Sequence, residues 1–289
     1  MCDKRTVFSR RKKGYFDRAS GLSGMRLLGK TMAVLEQIAQ ILSGFAPITL
    51  EEMKDIRLMN RTDTKYVVPV AVLVPLLEAA REDYRVQEVD GERNIAYRTV
   101  YYDTADQKMY IAHQNGKKTR EKIRMRTYVS SGLSFLEVKN KNNRGRTDKK
   151  RIKVKGEDFM TQEKTREFLA KNAWFTPEEL TPQLENSFTR ITLVNRGMTE
   201  RLTIDTSLAF VNLCNGQRSS LAGIAIIELK RDGRTASPMY SLLMKMHIHT
   251  SGFSKYCMGY ALTDNNIKQN LFKERIHHTL KLNRQADET

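Results

Sequence analysis

Residues 119–128 read TREKIRMRTY, with a basic side chain at every second position: Arg120, Lys122, Arg124 and Arg126. On a helix these would scatter around the axis. On a β-strand, where side chains alternate between two faces, all four cations point one way and Ile123 and Met125 point the other. A fold that accepts this strand must supply something for four adjacent positive charges to face.

The same two-faced pattern recurs along the chain. Strands are expected at 57–68, 95–102, 119–129, 134–141, 147–154, 186–194, 200–205, 208–213 and 223–230, with turns at Asp90-Gly91 and from Asn143 to Gly145. One face collects Arg61, Asp63 and Lys65, then the 120–126 cations, then Glu137, Lys139 and Lys141. It continues with Lys149, Arg151 and Lys153, Arg201, Thr203 and Asp205, and Glu228 and Lys230, while the opposite face is Ile, Val, Leu and Met. A short phrase is repeated, FLEVK at 135–139 and IIELK at 226–230. Helical patterns are expected at 31–45, 70–83, 161–172, 238–249 and 264–281. The class is α+β.

A half-exposed sheet with its polar side in water shows the same alternation. The amphipathic helices, however, offer cover for the apolar faces from outside, and the sheet would then curve with its charged faces turned inward around a wet bore. Cations crowded in a bore carry a desolvation cost of several kcal/mol each when unpartnered, so an empty bore is expected to be electrostatically unstable. Phosphates suit such a lining, because guanidinium groups bind their oxygens bidentately and lysines add point charges. The glutamates on this face suggest Mg²⁺ or Mn²⁺ carried by phosphates, which needs one or two hard oxygen ligands from the protein. Glu228 is the first choice for that ligand and Glu137 the second, with pairing to a neighbouring Lys or Arg as the plain alternative for each.

The formal charge of +17 agrees with a polyanionic partner. A nucleic-acid surface would interleave aromatics for base stacking, and of the four-cation strand's own face only Tyr128 could serve, so nucleic acid is not expected. Residues 1–30 carry a net +7 and read first as a disordered, solvated extension and second as an anchor to an anionic membrane partner, followed by one domain over 31–289. The apolar run at 66–77 is too short for a span and holds two prolines. Cys2, Cys214 and Cys257 lie far apart without metal-ligand spacing, and the expected compartment is the reducing cytoplasm. Oligomeric state is not readable.

Taken together, RTDTKYVVP (61–69), YRTVYYDT (97–104), KIRMRTY (122–128), FLEVKNK (135–141), SFTRITL (187–193), RLTIDT (201–206), IIELK (226–230) and GFSKYCMGY (252–260) resemble the catalytic domain of the vacuolar transporter chaperone (VTC) polyphosphate polymerases. That domain belongs to the CYTH, or triphosphate tunnel metalloenzyme, superfamily. The resemblance implies an antiparallel β-barrel tunnel with a basic interior, flanked by helices, that binds a nucleoside triphosphate and a divalent metal and threads polyphosphate. Carried over by motif, it implies that Lys65, Arg124, Arg126, Lys139, Arg151, Arg190, Arg201 and Lys255 line the phosphate path and that Glu228 holds the metal. Two positions depart from the pattern: Gly252 stands where eukaryotic members carry a lysine, and His113 roughly where an arginine is expected. RTDTK does not match the ExExK signature of hydrolytic superfamily members, which favours the polymerase branch. The phosphate-sensing domain and membrane helices of eukaryotic relatives are not expected here.

The expected chemistry is transfer of the ATP γ-phosphoryl group to the end of a polyphosphate chain, an in-line displacement in which positioned cations supply most of the catalysis. Arg124, Arg126, Lys139, Arg190 and Arg201 are the candidate catalytic groups. Arg61, Lys65, Arg120, Lys122, Lys149, Arg151, Lys230 and Lys255 are the candidate substrate ligands. A triphosphatase or cyclase on the same barrel, or a non-catalytic polyphosphate or inositol-phosphate binder, are the alternatives.

Overall fold

A computed structural model describes residues 22–56, 61–233 and 235–285. Seven helices are present among them: α1 (Leu22–Ser43), α2 (Leu73–Ala80), α3 (Lys108–Gln114), α4 (Glu163–Asn172), α5 (Pro238–Lys245), α6 (Lys255–Thr263) and α7 (Lys273–Gln285). The strands are β1 (Ala46–Ile48), β2 (Arg61–Pro69), β3 (Tyr84–Gln87), β4 (Ile95–Asp103), β5 (Arg120–Tyr128), β6 (Ser134–Lys141), β7 (Thr147–Val154), β8 (Thr181–Asn195), β9 (Glu200–Asn212), β10 (Arg218–Leu221) and β11 (Ile224–Asp232). The expected tail at residues 1–21 lies outside the described residues, and 22–30, also assigned to the tail, form the opening turns of α1.

The strands form one sheet whose main path runs β2-β11-β9-β8-β4-β5-β6-β7, every pairing along it antiparallel. Local sequence explains the tight connections: Gly145, at φ 81°, turns β6 into β7, and Asp90-Gly91, at φ 51° and 80°, closes a small bridge between Val89 and Glu92. Strand β9, expected as two strands, is one strand with a bulge where Ser207 takes φ 54°. The extra residue shifts the alternation, so Phe210 shares a face with Asp205 despite its even number.

The sheet is strongly curved. Between β2 and β5 lie four other strands, so on a flat sheet they would stand about 24 Å apart at the usual inter-strand spacing. Lys65 of β2 and Lys122 of β5 nevertheless line one cavity of about 230 Å³. The curl leaves a seam, since β2 and β7 end the path and no ladder joins them among the described residues.

Helices cover the outer, apolar faces, as expected. Ile38 and Leu42 of α1, Leu73, Leu76 and Leu77 of α2 and Leu243 of α5 pack on Tyr66, Ile191, Leu193, Leu202, Ile204, Ile227 and Leu229. A second cluster sets Phe159, from the turn before α4, and Leu169 of α4 against Val100, Ile123, Leu136 and Val138. Each fully buried aliphatic contributes roughly 1.5–3 kcal/mol, which fixes the outer side of every strand and forces the charged side inward.

The expectation that the helices lie outside does not hold for α6. α6 packs on the inner face: a Cβ on Gly259 would sit 2.3 Å from Phe210 Cδ1 and 2.8 Å from Leu184 Cδ2. Asp103 ties this plug down, accepting from the Met109 and Tyr110 amides of α3 and from the Tyr256 hydroxyl at 2.9, 2.9 and 2.7 Å.

Candidate active site

Register decides which side chains meet. Across the β5–β6 ladder Arg124 stands opposite Glu137 and Lys122 opposite Lys139, and across β6–β7 Glu137 stands opposite Arg151 and Lys139 opposite Lys149. On the other side Glu228 stands opposite Lys65 and Thr203, and Lys230 opposite Asp63 and Arg201. Arg190 is level with Asp205. The residues expected on the charged face therefore share a face in the register, and Arg190, implied only by resemblance, joins them. The strand position of Arg61 is defined, but its side chain lies outside the described residues.

Three carboxylates organise the interior. Glu228 accepts from Lys65 at 2.7 Å and lies 3.4 Å from Lys230 Nζ. Glu137 accepts from Arg124 at 2.6 Å through one oxygen and from Lys149 at 2.5 Å through the other. Asp205 accepts from Arg190 at 2.5 and 2.8 Å and also from Lys255. The expected instability of an empty bore is relieved for six cations, two on each of these acids, and persists at Arg126 and Lys139.

The acids are fully ionised. Burial alone would push the Glu228 carboxyl up, but Lys230 and Lys65 outweigh it and hold it well below the ordinary range. Glu137 is depressed in the same way by Arg124, Arg126 and Lys149, and Asp205 by Arg190 and Lys255. The cations show the converse strain. Burial followed by the charges of Arg124 and Arg190 pulls Arg126 down to about 10. Lys139 falls well below its usual value, first through Arg124 and then through burial, and burial brings Lys255 down to about 8.

An aromatic floor, unnoticed in the sequence, gathers three of the cations. Tyr97 of β4 and Phe188 of β8 stack at 5.3 Å between ring centres. Arg126 lies 5.3 Å and 5.6 Å from the two ring centres, Arg190 5.5 and 5.4 Å, and Lys255 4.5 Å from Phe188. Such contacts orient a cation without neutralising it. Arg126 also donates to Thr99 Oγ1 at 3.3 Å. Strand β7 is more open: Arg151 is exposed and stacks 4.9 Å from the Phe135 ring.

The metal expectation separates its two candidates. Both oxygens of Glu137 already face cations, so it does not fit a metal ligand without displacing them. Glu228 is a half-buried, ionised hard donor whose second oxygen faces Lys230 at 3.4 Å, the looser of its two contacts, which fits a cation bound mostly by phosphate and water. Among the described residues no group of three or more acid, His or Cys side chains could by itself cage a metal.

The result is a curved antiparallel sheet turned inside out, with helices on its apolar outside and paired cations within. The family model described as the VTC domain matches residues 60–263, and the chain belongs to that family. No curated protein matches it. Among solved structures, it is similar to a candidate adenylate cyclase from Vibrio parahaemolyticus (13% identity, TM-score 0.41, 68% of this chain and 96% of that chain). A candidate adenylate cyclase from Bacillus halodurans is similar at 14% identity and TM-score 0.43, over 68% of this chain and 96% of that one. A candidate adenylyl cyclase from Hippeastrum, described as having dominant triphosphatase activity, is similar at 12% and 0.42, over 71% and 97%. These values bear on neither substrate nor reaction. No described helix is long and apolar enough to cross a membrane.

Proposed function

We propose that the chain is a cytoplasmic polyphosphate polymerase that moves the γ-phosphoryl group of ATP onto the end of a polyphosphate chain. The observation that carries this reading is the inward convergence of Arg124, Arg126, Arg190 and Lys255 from β5, β8 and α6, with Lys139 of β6 and the Lys65–Glu228–Lys230 cluster beside them. A phosphoryl group in flight spreads its charge over its equatorial oxygens, and preorganised guanidinium groups on a rigid aromatic floor stabilise that charge without reorganising.

The acceptor is a terminal phosphate that is already ionised near neutrality, so no general base is needed. Arg126 and Arg190, sharing the Tyr97–Phe188 floor, hold the transferring group. Lys65 and Lys230 flank Glu228 and neutralise the nucleotide phosphates, and Lys139 and Lys149 steady the chain on the β6–β7 side. Mg²⁺ or Mn²⁺, held by Glu228 and the phosphates, would supply charge neutralisation at the leaving group.

The test is purified protein with ATP and Mn²⁺ or Mg²⁺, products resolved by size. Phosphate chains with stoichiometric ADP are expected. Free phosphate without chains would make the protein a triphosphatase, and a cyclic nucleotide a cyclase. Glu228→Gln should raise the metal concentration needed for half-maximal activity.

A further inference from the structure

On the outer face of the sheet a cavity of about 440 Å³ opens between α3, the start of β5 and the chain leaving α4. Its floor is Glu121, which strand alternation turns away from Arg120 and Lys122. Glu121 is 1% exposed, and the Trp174 amide donates to both its oxygens at 3.1 Å. Each of the three interior acids holds two cations, whereas no Lys or Arg among the described residues pairs with Glu121. Burial pushes its carboxyl up, to about 7, with no cation to offset it.

The walls are apolar and aromatic, formed by Met109 of α3, Phe175 and the half-exposed indole of Trp174. At the rim the exposed Lys108 and Lys117 outnumber Asp106, and Lys108 Nζ lies 6.0 Å from the Phe175 ring centre. The lining therefore offers cations at the mouth, rings along the side and an acceptor at the bottom. A small cation would suit Glu121 but meet two lysines on the way in. A bare phosphate would suit the lysines but face a carboxylate. A molecule with an amino-bearing ring at one end and a phosphate at the other satisfies all three zones, and the volume lies in the range of small-molecule sites, roughly 300–1,000 Å³.

We propose that this cavity is a binding site, outside the basic interior, for a nucleoside monophosphate whose base carries an amino group. The base stacks on Trp174 and Phe175, its amino group donates to Glu121, and its phosphate is held by Lys108 and Lys117. Stacking on aromatic side chains tolerates any base, so selectivity rests on Glu121, a carboxylate accepting from an exocyclic amino group as in direct base readout. None of these residues belongs to the proposed reacting centre or phosphate path, and the inference stands apart from the polymerase reading.

Trp174 is the single tryptophan of the chain, so its fluorescence reports on this site. The experiment titrates the full-length protein with AMP in the presence of saturating tripolyphosphate, which fills the basic interior. AMP should quench Trp174 saturably, and tripolyphosphate alone should not. Adenosine, which lacks the phosphate, and purine riboside monophosphate, which lacks the amino group, should each bind about tenfold more weakly than AMP, the effect of one charge-assisted hydrogen bond. Glu121→Gln should weaken AMP by about tenfold and leave purine riboside monophosphate within about twofold of its affinity for the parent, while Lys117→Ala should weaken AMP and spare adenosine. Quenching by tripolyphosphate alone, no quenching by AMP, equal binding of the three nucleosides, or a Glu121→Gln loss shared by both monophosphates would each overturn the proposal. The comparison of the three ligands decides on the unaltered protein, whatever the stability of the variants.

Discussion

Arg190 meets Asp205 edge-on, its Nε 2.5 Å from one carboxylate oxygen and a terminal nitrogen 2.8 Å from the other. Lys255 closes on the same carboxylate from α6. A strand-to-strand contact is thereby joined to the helix that fills the interior, and one acid sets the position of two candidate phosphate ligands. Removing it leaves two largely buried cations unpaired, which costs up to about 3–5 kcal/mol. Asp205→Asn should lower the melting temperature accordingly, and tripolyphosphate should restore more stability to the variant than to the parent. A variant as stable as the parent would show that the acid is not the anchor.

Lys255 gives the pH dependence a sign. Its folded-state pKa is depressed from 10.5 to about 8, first by burial. It carries its charge below pH 8 and loses it above, so affinity for polyphosphate should fall as pH rises through about 8, with proton uptake on binding in that range. For the free protein the linkage runs the other way. Between 8 and 10.5 the unfolded chain holds more protons at this group than the folded one, and the group's contribution to stability rises with pH. Calorimetry in buffers of different ionisation enthalpy reads the first effect and thermal melts the second.

Arg126 tests catalysis separately from stability. Its guanidinium rests on Tyr97 and Phe188 and has no carboxylate of its own. Losing one positioned donor costs about 10² to 10³ in rate, so Arg126→Ala should nearly abolish turnover while the fold is kept, its melting point equal to or above that of the parent. Full activity in this variant would take the residue out of the reacting centre.

Gly259 tests the plug. With Phe210 and Leu184 inside contact distance of any Cβ, Gly259→Ala must push α6 away from β8 and β9, at about 1–3 kcal/mol for overpacking. Lys255 moves with the helix, so phosphate affinity should drop alongside stability. A drop in stability alone would mean that the two ends of α6 are uncoupled.

Much of this architecture was legible because alternation is local: TREKIRMRTY, FLEVKNK and RLTIDT each declare two faces within a few residues, and the register carries those faces around the sheet. Arg190 was harder. Its strand runs TPQLENSFTRITLVN, where apolar Phe188 and charged Arg190 share the inner face, so no clean alternation marks it. α6 escaped entirely. Tyr256, Cys257, Met258, Tyr260 and Ala261 are all buried, and a helix buried on every side shows no amphipathic stripe.

The three internal acids have a consequence for what can enter. Because Glu137, Asp205 and Glu228 already occupy six of the cations, an incoming anion does not fall into a void. It must displace resident counterions that stay covalently tethered nearby and cannot diffuse away. Chloride, carrying one charge, competes poorly with a tethered carboxylate, whereas a ligand that satisfies several cations at once succeeds. For the proposed phosphate path this predicts a valence filter, admitting guests by how many charges they carry within a short length.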